Sequence, residues 1–230
     1  MSDWDVQWFD TTIQARELLV WRGVESQYAP ATMRLVDTLY EQDLLEQLLE
    51  ASKPPIVKDR HYLLFTPFRY TPPHAHRFRP AHERGQWYGS VNQVAVCAEI
   101  AYWRHRFILD SATLVDEDLV TEHTLFKAQM RGLSIDLMQL PWSQHRDRWT
   151  DGSNYTATQA LAAEAKARGV QWLGYESVRA PGEACAVAFE PDALFEPPGG
   201  IDATRERWSC KATRSKVMLM GDGGRFEWDF

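Results

Sequence analysis

From Val94 to Trp103 the chain is apolar at nine of ten positions, and the tenth is Glu99. A carboxylate in such a run is unfavourable unless another group pairs with it or uses it. Asn92 stands where a helix N-cap belongs, so Glu99 is expected on a helix, with Ala95 and Tyr102 on its face and Trp103 one turn on. Arg106 is too distant for an i, i+4 pair, so a pocket or a pairing with another element is expected. Elsewhere residues 11–20 and 30–52 read as helical. In the second stretch Leu35, Leu39, Leu44, Leu45, Leu48 and Leu49 fall near helical spacing, and KPP at 53–55 ends it. HYLLFTPFRY (61–70), GQWYGS (85–90), RFILDSATL and the stretch around GLSIDLMQL read as strands. TATQALAAEAKARG is an Ala-rich helix ending at Gly169. VQWLGYES and ACAVAFEP form an antiparallel pair around RAPGE. Helices and strands alternate without a βαβ rhythm, which predicts an α+β fold. No GxGxxG or GxxxxGK[ST] motif occurs.

The 230 residues suffice for one large core. A net charge of −7 disfavours nonspecific adhesion to nucleic acid or anionic membrane. The N-terminus lacks a basic n-region, no stretch reaches transmembrane length, and Cys97, Cys185 and Cys210 fit neither a disulfide framework nor a zinc pattern. A cytoplasmic protein with free thiols is expected; association into homo-oligomers is left open. Ten tryptophans suit core packing first and a planar ligand second.

Within this acidic chain HRFRPAHER gathers Arg77, Arg79 and Arg84, which suits an anionic small molecule, because the planar guanidinium donates paired hydrogen bonds to phosphate. A solvated basic loop is the plainer alternative. His74, His76 and His82 lie near these arginines, but an HxH pair alone does not make a metal site, and none is assigned. Arg22 in WRGVESQY would be unremarkable by itself. In YESVR, alternation places Tyr175, Ser177 and Arg179 on one strand face.

Together these stretches resemble the RES domain family, named for an Arg, a Glu and a Ser. The resemblance rests on WRGVESQY with Arg22, RFRP followed by YGS with Arg77 and Tyr88, VAVCAEIAYWR with Glu99, and GYESVR with Ser177. Arg77, Tyr88 and Glu99 are spaced eleven residues apart, and the likeness spans roughly residues 20–195. Where the family shows Gly-Gly-Arg-aromatic-Asn, this chain has AHRFRP, with Arg79 at the Asn position.

The resemblance implies one domain over 1–230, with an N-terminal helical portion about 1–55. It implies a fold similar to ADP-ribosyltransferases: mixed or antiparallel sheets, flanking helices and an NAD-binding cleft. The implied activity is cleavage of the nicotinamide–ribose bond of NAD+ by a toxin of a toxin–antitoxin pair. The implied partner is an Xre-type helix-turn-helix antitoxin. NAD+ is then substrate rather than cofactor, with inorganic phosphate as co-substrate if the reaction is phosphorolysis. Glu99, Arg22 and Ser177 become the catalytic candidates. Arg77, Tyr88, Arg79 and, on position alone, Tyr28 become the substrate-binding ones, with Arg84 behind them. Two rivals remain: a mono-ADP-ribosyltransferase acting on a protein, and a non-catalytic nucleotide-binding protein.

Overall fold

The computed structural model describes residues 4–26, 31–54 and 60–230. In chain order its elements are α1 (Val6–Thr12), β1 (Gln14–Glu25), α2 (Leu39–Ala51), α3 (Tyr62–Phe65), β2 (Trp87–Ser90), α4 (Gln93–Leu109) and β3 (Leu119–Asp136). There follow α5 (Arg146–Trp149), α6 (Thr156–Ala167), β4 (Trp172–Glu176), β5 (Ala184–Ala188), β6 (Leu194–Phe195), β7 (Glu206–Ala212), β8 (Lys216–Gly221) and β9 (Gly224–Asp229). The fold is α+β, with one mixed sheet and flanking helices.

β3 organises the sheet. One edge pairs antiparallel with all of β1, from Gln14↔Ser134 to Glu25↔His123. The other edge is shared: β7 takes residues 119–125, β6 takes 129–130, and β4 runs parallel beside 134–136. From β4 the pairing continues through β5 and β2 and returns to β1 at Trp21↔Ser90. Five strands thus close into a ring, and Val20, Trp87, Phe126, Trp172 and Ala186, one from each, share a buried cluster. Beyond β7 the strands β8 and β9 extend the sheet away from the ring.

Helix α4 packs against both parts. Cys97, Ala101 and Ile108 recur at helical spacing and are buried with Trp208, Cys210 and Leu219 of β7 and β8. Gly23 lets β1 approach the same helix: a Cβ there would lie 2.8 Å from Ile100 Cδ1 and 3.0 Å from Val96 Cγ1. The flank of α4 carrying Glu99 is left facing the ring.

The α6 helix and the β4–β5 pair form as the sequence predicts, with Gly169 at φ +77° just past α6. Three predicted elements do not. Residues 11–20 are not helical beyond Thr12, because β1 pairs with β3 along its whole length and that ladder outweighs the helix propensity of QARELL. Residues 61–70 form α3 and a 3₁₀ turn instead of a strand. His61 Nδ1 accepts from the Leu63 amide at 3.2 Å, and Leu63, Leu64, Phe65 and Phe68 are all buried, a run whose period is ambiguous. RFILDSATL is the end of α4 followed by turns.

Helix α2 is confirmed, with a capping box between Thr38 and Glu41. Four of its five leucines, however, are exposed, Leu39 being 78% exposed, and Leu45 is half-buried.

Candidate active site

A cavity of about 460 Å³ opens between α4, β1, β2 and the loop after β4. It is lined by Arg22, Arg77, Tyr88 and Glu99, four of the residues picked out in the sequence, and by Arg179, Tyr175, Tyr155, His76 and Trp103.

Glu99 projects from the free flank of α4. Burial pushes its carboxyl above the usual carboxylate range; Arg179, Arg77 and a hydrogen bond from the Trp103 side chain pull the other way without cancelling it. Both anticipated explanations for Glu99 therefore hold together: it faces a cavity, and cations from two other elements face it.

Arg22 is anchored from β1. Its Nη1 donates to the Tyr88 carbonyl at 2.9 Å, and its guanidinium lies 5.0 Å over the Trp87 ring. Its Nε is buried with no hydrogen-bond partner among the described residues. Burial lowers its pKa to about 10, so it remains a cation at neutral pH. An unpaired buried N–H on a cavity-lining cation is a donor in want of an acceptor.

Arg77 donates through one nitrogen to the carbonyls of Trp149 and Asp151, both at 2.9 Å, and lies 5.5 Å over the Tyr155 ring. Those bonds fix its position and leave the rest of the guanidinium to the cavity. Tyr88 Oη donates to Gln86 Oε1 at 2.8 Å. Burial raises the Tyr88 hydroxyl well above its ordinary value, so it stays protonated.

Three candidates are placed differently from the expectation. Arg79 is 1% exposed and does not line the cavity. Its Nη1 donates to the carbonyls of Pro72, Pro80 and Glu83, and its Nη2 to that of His74 at 2.6 Å. A proline-rich loop is short of N–H donors for its own carbonyls, and Arg79 supplies them. Arg84 also lies away, bonded to the Phe68 carbonyl and facing Glu190.

Ser177 is fully buried and likewise lies outside the cavity lining. Its Oγ accepts from the amides of Arg179 at 3.2 Å and Ala180 at 3.0 Å. It shapes the turn that presents Arg179 beside Glu99, where the Arg179 guanidinium stacks 3.5 Å over the Tyr102 ring. Ser177 is thus a positioning residue. Ser177→Ala is expected to lower kcat/KM about tenfold, from the loss of two hydrogen bonds at roughly 1 kcal/mol or less each. In an Arg179→Ala background the same change is expected to add almost nothing. A full multiplicative loss in the double variant would mean that Ser177 acts on substrate directly.

Tyr28 lies outside the described residues. Arg179 was visible as part of YESVR, although it sits on the loop rather than the strand. His76 was visible only as half of an HxH pair, and Tyr155 carries no sequence signal.

The fold and cavity define a class: an α+β protein in which a ring of strands and one helix hold a buried carboxylate among arginines. The RES domain model matches residues 53–209, more than half of the chain. The chain belongs to the RES domain family. Arg77, Tyr88, Glu99 and Ser177 fall inside the matched stretch and Arg22 before it. No curated relative matches significantly. Among solved structures, one chain of the M. tuberculosis MbcT–MbcA toxin–antitoxin complex is similar, at 12% identity over 91% of this chain and 92% of that one, with a TM-score of 0.49.

Proposed function

We propose that this protein cleaves the nicotinamide–ribose bond of NAD+ and acts as the toxin of a toxin–antitoxin pair. One observation carries the reading: Glu99 is held in a largely apolar cavity with its carboxyl opposed by Arg179 and Arg77.

As the C–N bond breaks, its electron pair goes to the nicotinamide ring and positive charge develops on the ribose. Glu99 faces that charge in a site of low effective dielectric, where its stabilisation is strong. Nicotinamide leaves as a neutral molecule, so its departure needs no general acid. Phosphate then adds its oxygen to the ribose carbon, or water does so and releases one proton to solvent. Arg22 and Arg77 hold the diphosphate, and Arg22 Nε is the unpaired donor best suited to it. Tyr88, whose hydroxyl proton is held by Gln86 Oε1, accepts a hydrogen bond from a ribose hydroxyl or stacks on nicotinamide.

The antitoxin partner, of Xre type, and cytoplasmic action follow from family membership as part of the same proposal. The test is NAD+ loss by the purified protein with and without inorganic phosphate, the products read by mass. ADP-ribose in phosphate-free buffer is expected of a glycohydrolase. ADP-ribose 1″-phosphate formed only with phosphate is expected of a phosphorylase. Label transferred to a protein in excess of free ADP-ribose would replace this reading with ADP-ribosyl transfer, and a folded, antitoxin-free protein that consumes no NAD+ would end it.

A further inference from the structure

The cavity continues past Glu99. One to two turns further along α4 it is lined by Trp103, Arg104 and Phe107, by Glu25 at the end of β1, and by His123 of β3. Trp103 and Phe107 are one turn apart on the helix, so they stand on one face. They are 50% and 52% exposed, although they are large aromatic side chains lining a cavity. His76 stands 6.0 Å from the Trp103 ring, tilted by 55°. Beside this aromatic wall Arg104 forms an ion pair with Glu25. His123 is 4% exposed; burial lowers its pKa to about 4, so at neutral pH its ring is uncharged. Its Nε2 is 3.0 Å from Thr121 Oγ1, and its Nδ1 is buried with no hydrogen-bond partner among the described residues.

We propose that this outer compartment is a nucleobase site, in which Trp103 and Phe107 stack on the flat ring and Glu25 and Arg104 read its edge. A flat heteroaromatic ring suits the compartment on three grounds. Stacking on exposed aromatics needs a π-face and gains from desolvating two half-exposed rings. A base edge carries both donors and acceptors, and the compartment offers a carboxylate acceptor beside a guanidinium donor. The neutral His123 adds no charge that would favour an ion over a base. The site rests on the proposed function for its meaning. Glu99 to Phe107 is eight residues of helix, or about 12 Å, which leaves room for the ribose and diphosphate between the bond broken at Glu99 and a base stacked at Phe107. It assigns the adenine half of the substrate to named residues and makes the enzyme selective for dinucleotides.

The experiment compares ADP-ribose with nicotinamide mononucleotide, which lacks the adenine half, by calorimetric titration of the wild type, Phe107→Ala and Phe107→Tyr. ADP-ribose binding is expected to weaken about tenfold in Phe107→Ala, the scale of one lost base stack, and to recover in Phe107→Tyr. Nicotinamide mononucleotide binding is expected to shift less than twofold. Phe107 is half-exposed, and an unchanged melting temperature checks that the fold survives its removal. Equal weakening for both ligands, no weakening for either, or a wild type that does not bind ADP-ribose would overturn the base site. The two proposals fail separately. ADP-ribose binding that depends on Phe107 in a protein that consumes no NAD+ refutes cleavage and keeps the base site. NAD+ consumption with Phe107-independent ADP-ribose binding does the reverse.

Discussion

Replacing Glu99 by Gln is expected to abolish activity and, at neutral pH, to make the protein more stable. The first effect is a fall in kcat of about 10²–10³-fold, the range seen when a preorganised electrostatic group is removed from a transition state. The amide keeps the shape and loses the charge, so KM for NAD+ should change far less than kcat. The second effect follows from the raised carboxyl pKa. In the unfolded chain Glu99 titrates at its ordinary value; in the fold it titrates higher. Below the unfolded value both states carry the neutral acid, and glutamine offers no advantage. As pH rises through the folded value the buried carboxylate becomes charged and destabilises the native state relative to the amide. Glu99→Gln should therefore raise Tm at pH 7, with the gain fading as pH falls into the ordinary carboxylate range. The pH profile of kcat in the wild type should rise through a pKa above that of an ordinary glutamate. Thermal melts across pH, beside NAD+ assays, check both halves. A folded variant retaining wild-type turnover would sink the mechanism.

How much of this site could be read from the sequence depends on what holds each residue. Glu99 was legible because a carboxylate among nine apolar residues is an anomaly that needs no partner to be seen. Gly169 marked the end of α6, and the turn residues of RAPGE marked the β4–β5 pair, because those signals act within a few residues. The β1 strand was not legible. QARELLVW carries good helix formers, and what makes it a strand is the ladder to β3, more than a hundred residues away. The ring closes through a single pair, Trp21↔Ser90, and no local pattern announces it. Arg77 and Arg79 are two residues apart and chemically identical. One lines the cavity, and the other is enclosed by four carbonyls of its own loop, a difference set by the loop's fold. Ser177 was singled out by resemblance, and its two accepted amide bonds place it behind Arg179 rather than in the cavity.

Arg22 is expected to be the residue whose loss most weakens the grip on substrate, and lysine should not replace it. Removing it leaves the Tyr88 carbonyl without its donor at 2.9 Å and Trp87 without its cation at 5.0 Å. It also removes a buried donor that has no hydrogen-bond partner among the described residues. A lysine ammonium is a compact point charge. It cannot bond the Tyr88 carbonyl, lie flat on the indole and still direct a second N–H into the cavity. Both Arg22→Lys and Arg22→Ala should lower kcat/KM by about 10–10²-fold, since a charge-assisted bond is worth roughly 1.5–3 kcal/mol and every 1.4 kcal/mol is tenfold. The loss should lie mainly in KM if Arg22 holds the diphosphate in ground and transition states alike, and in kcat if its hydrogen bond forms only as the ribose moves. Nicotinamide mononucleotide, which has one phosphate in place of two, separates these cases. If Arg22 serves the diphosphate, Arg22→Lys should reduce the preference for NAD+ over the mononucleotide, leaving the part contributed by the base at Phe107. Unchanged selectivity with unchanged KM would show that Arg22 serves the Tyr88–Trp87 framework alone, and the diphosphate would have to be assigned to Arg77 and Arg179.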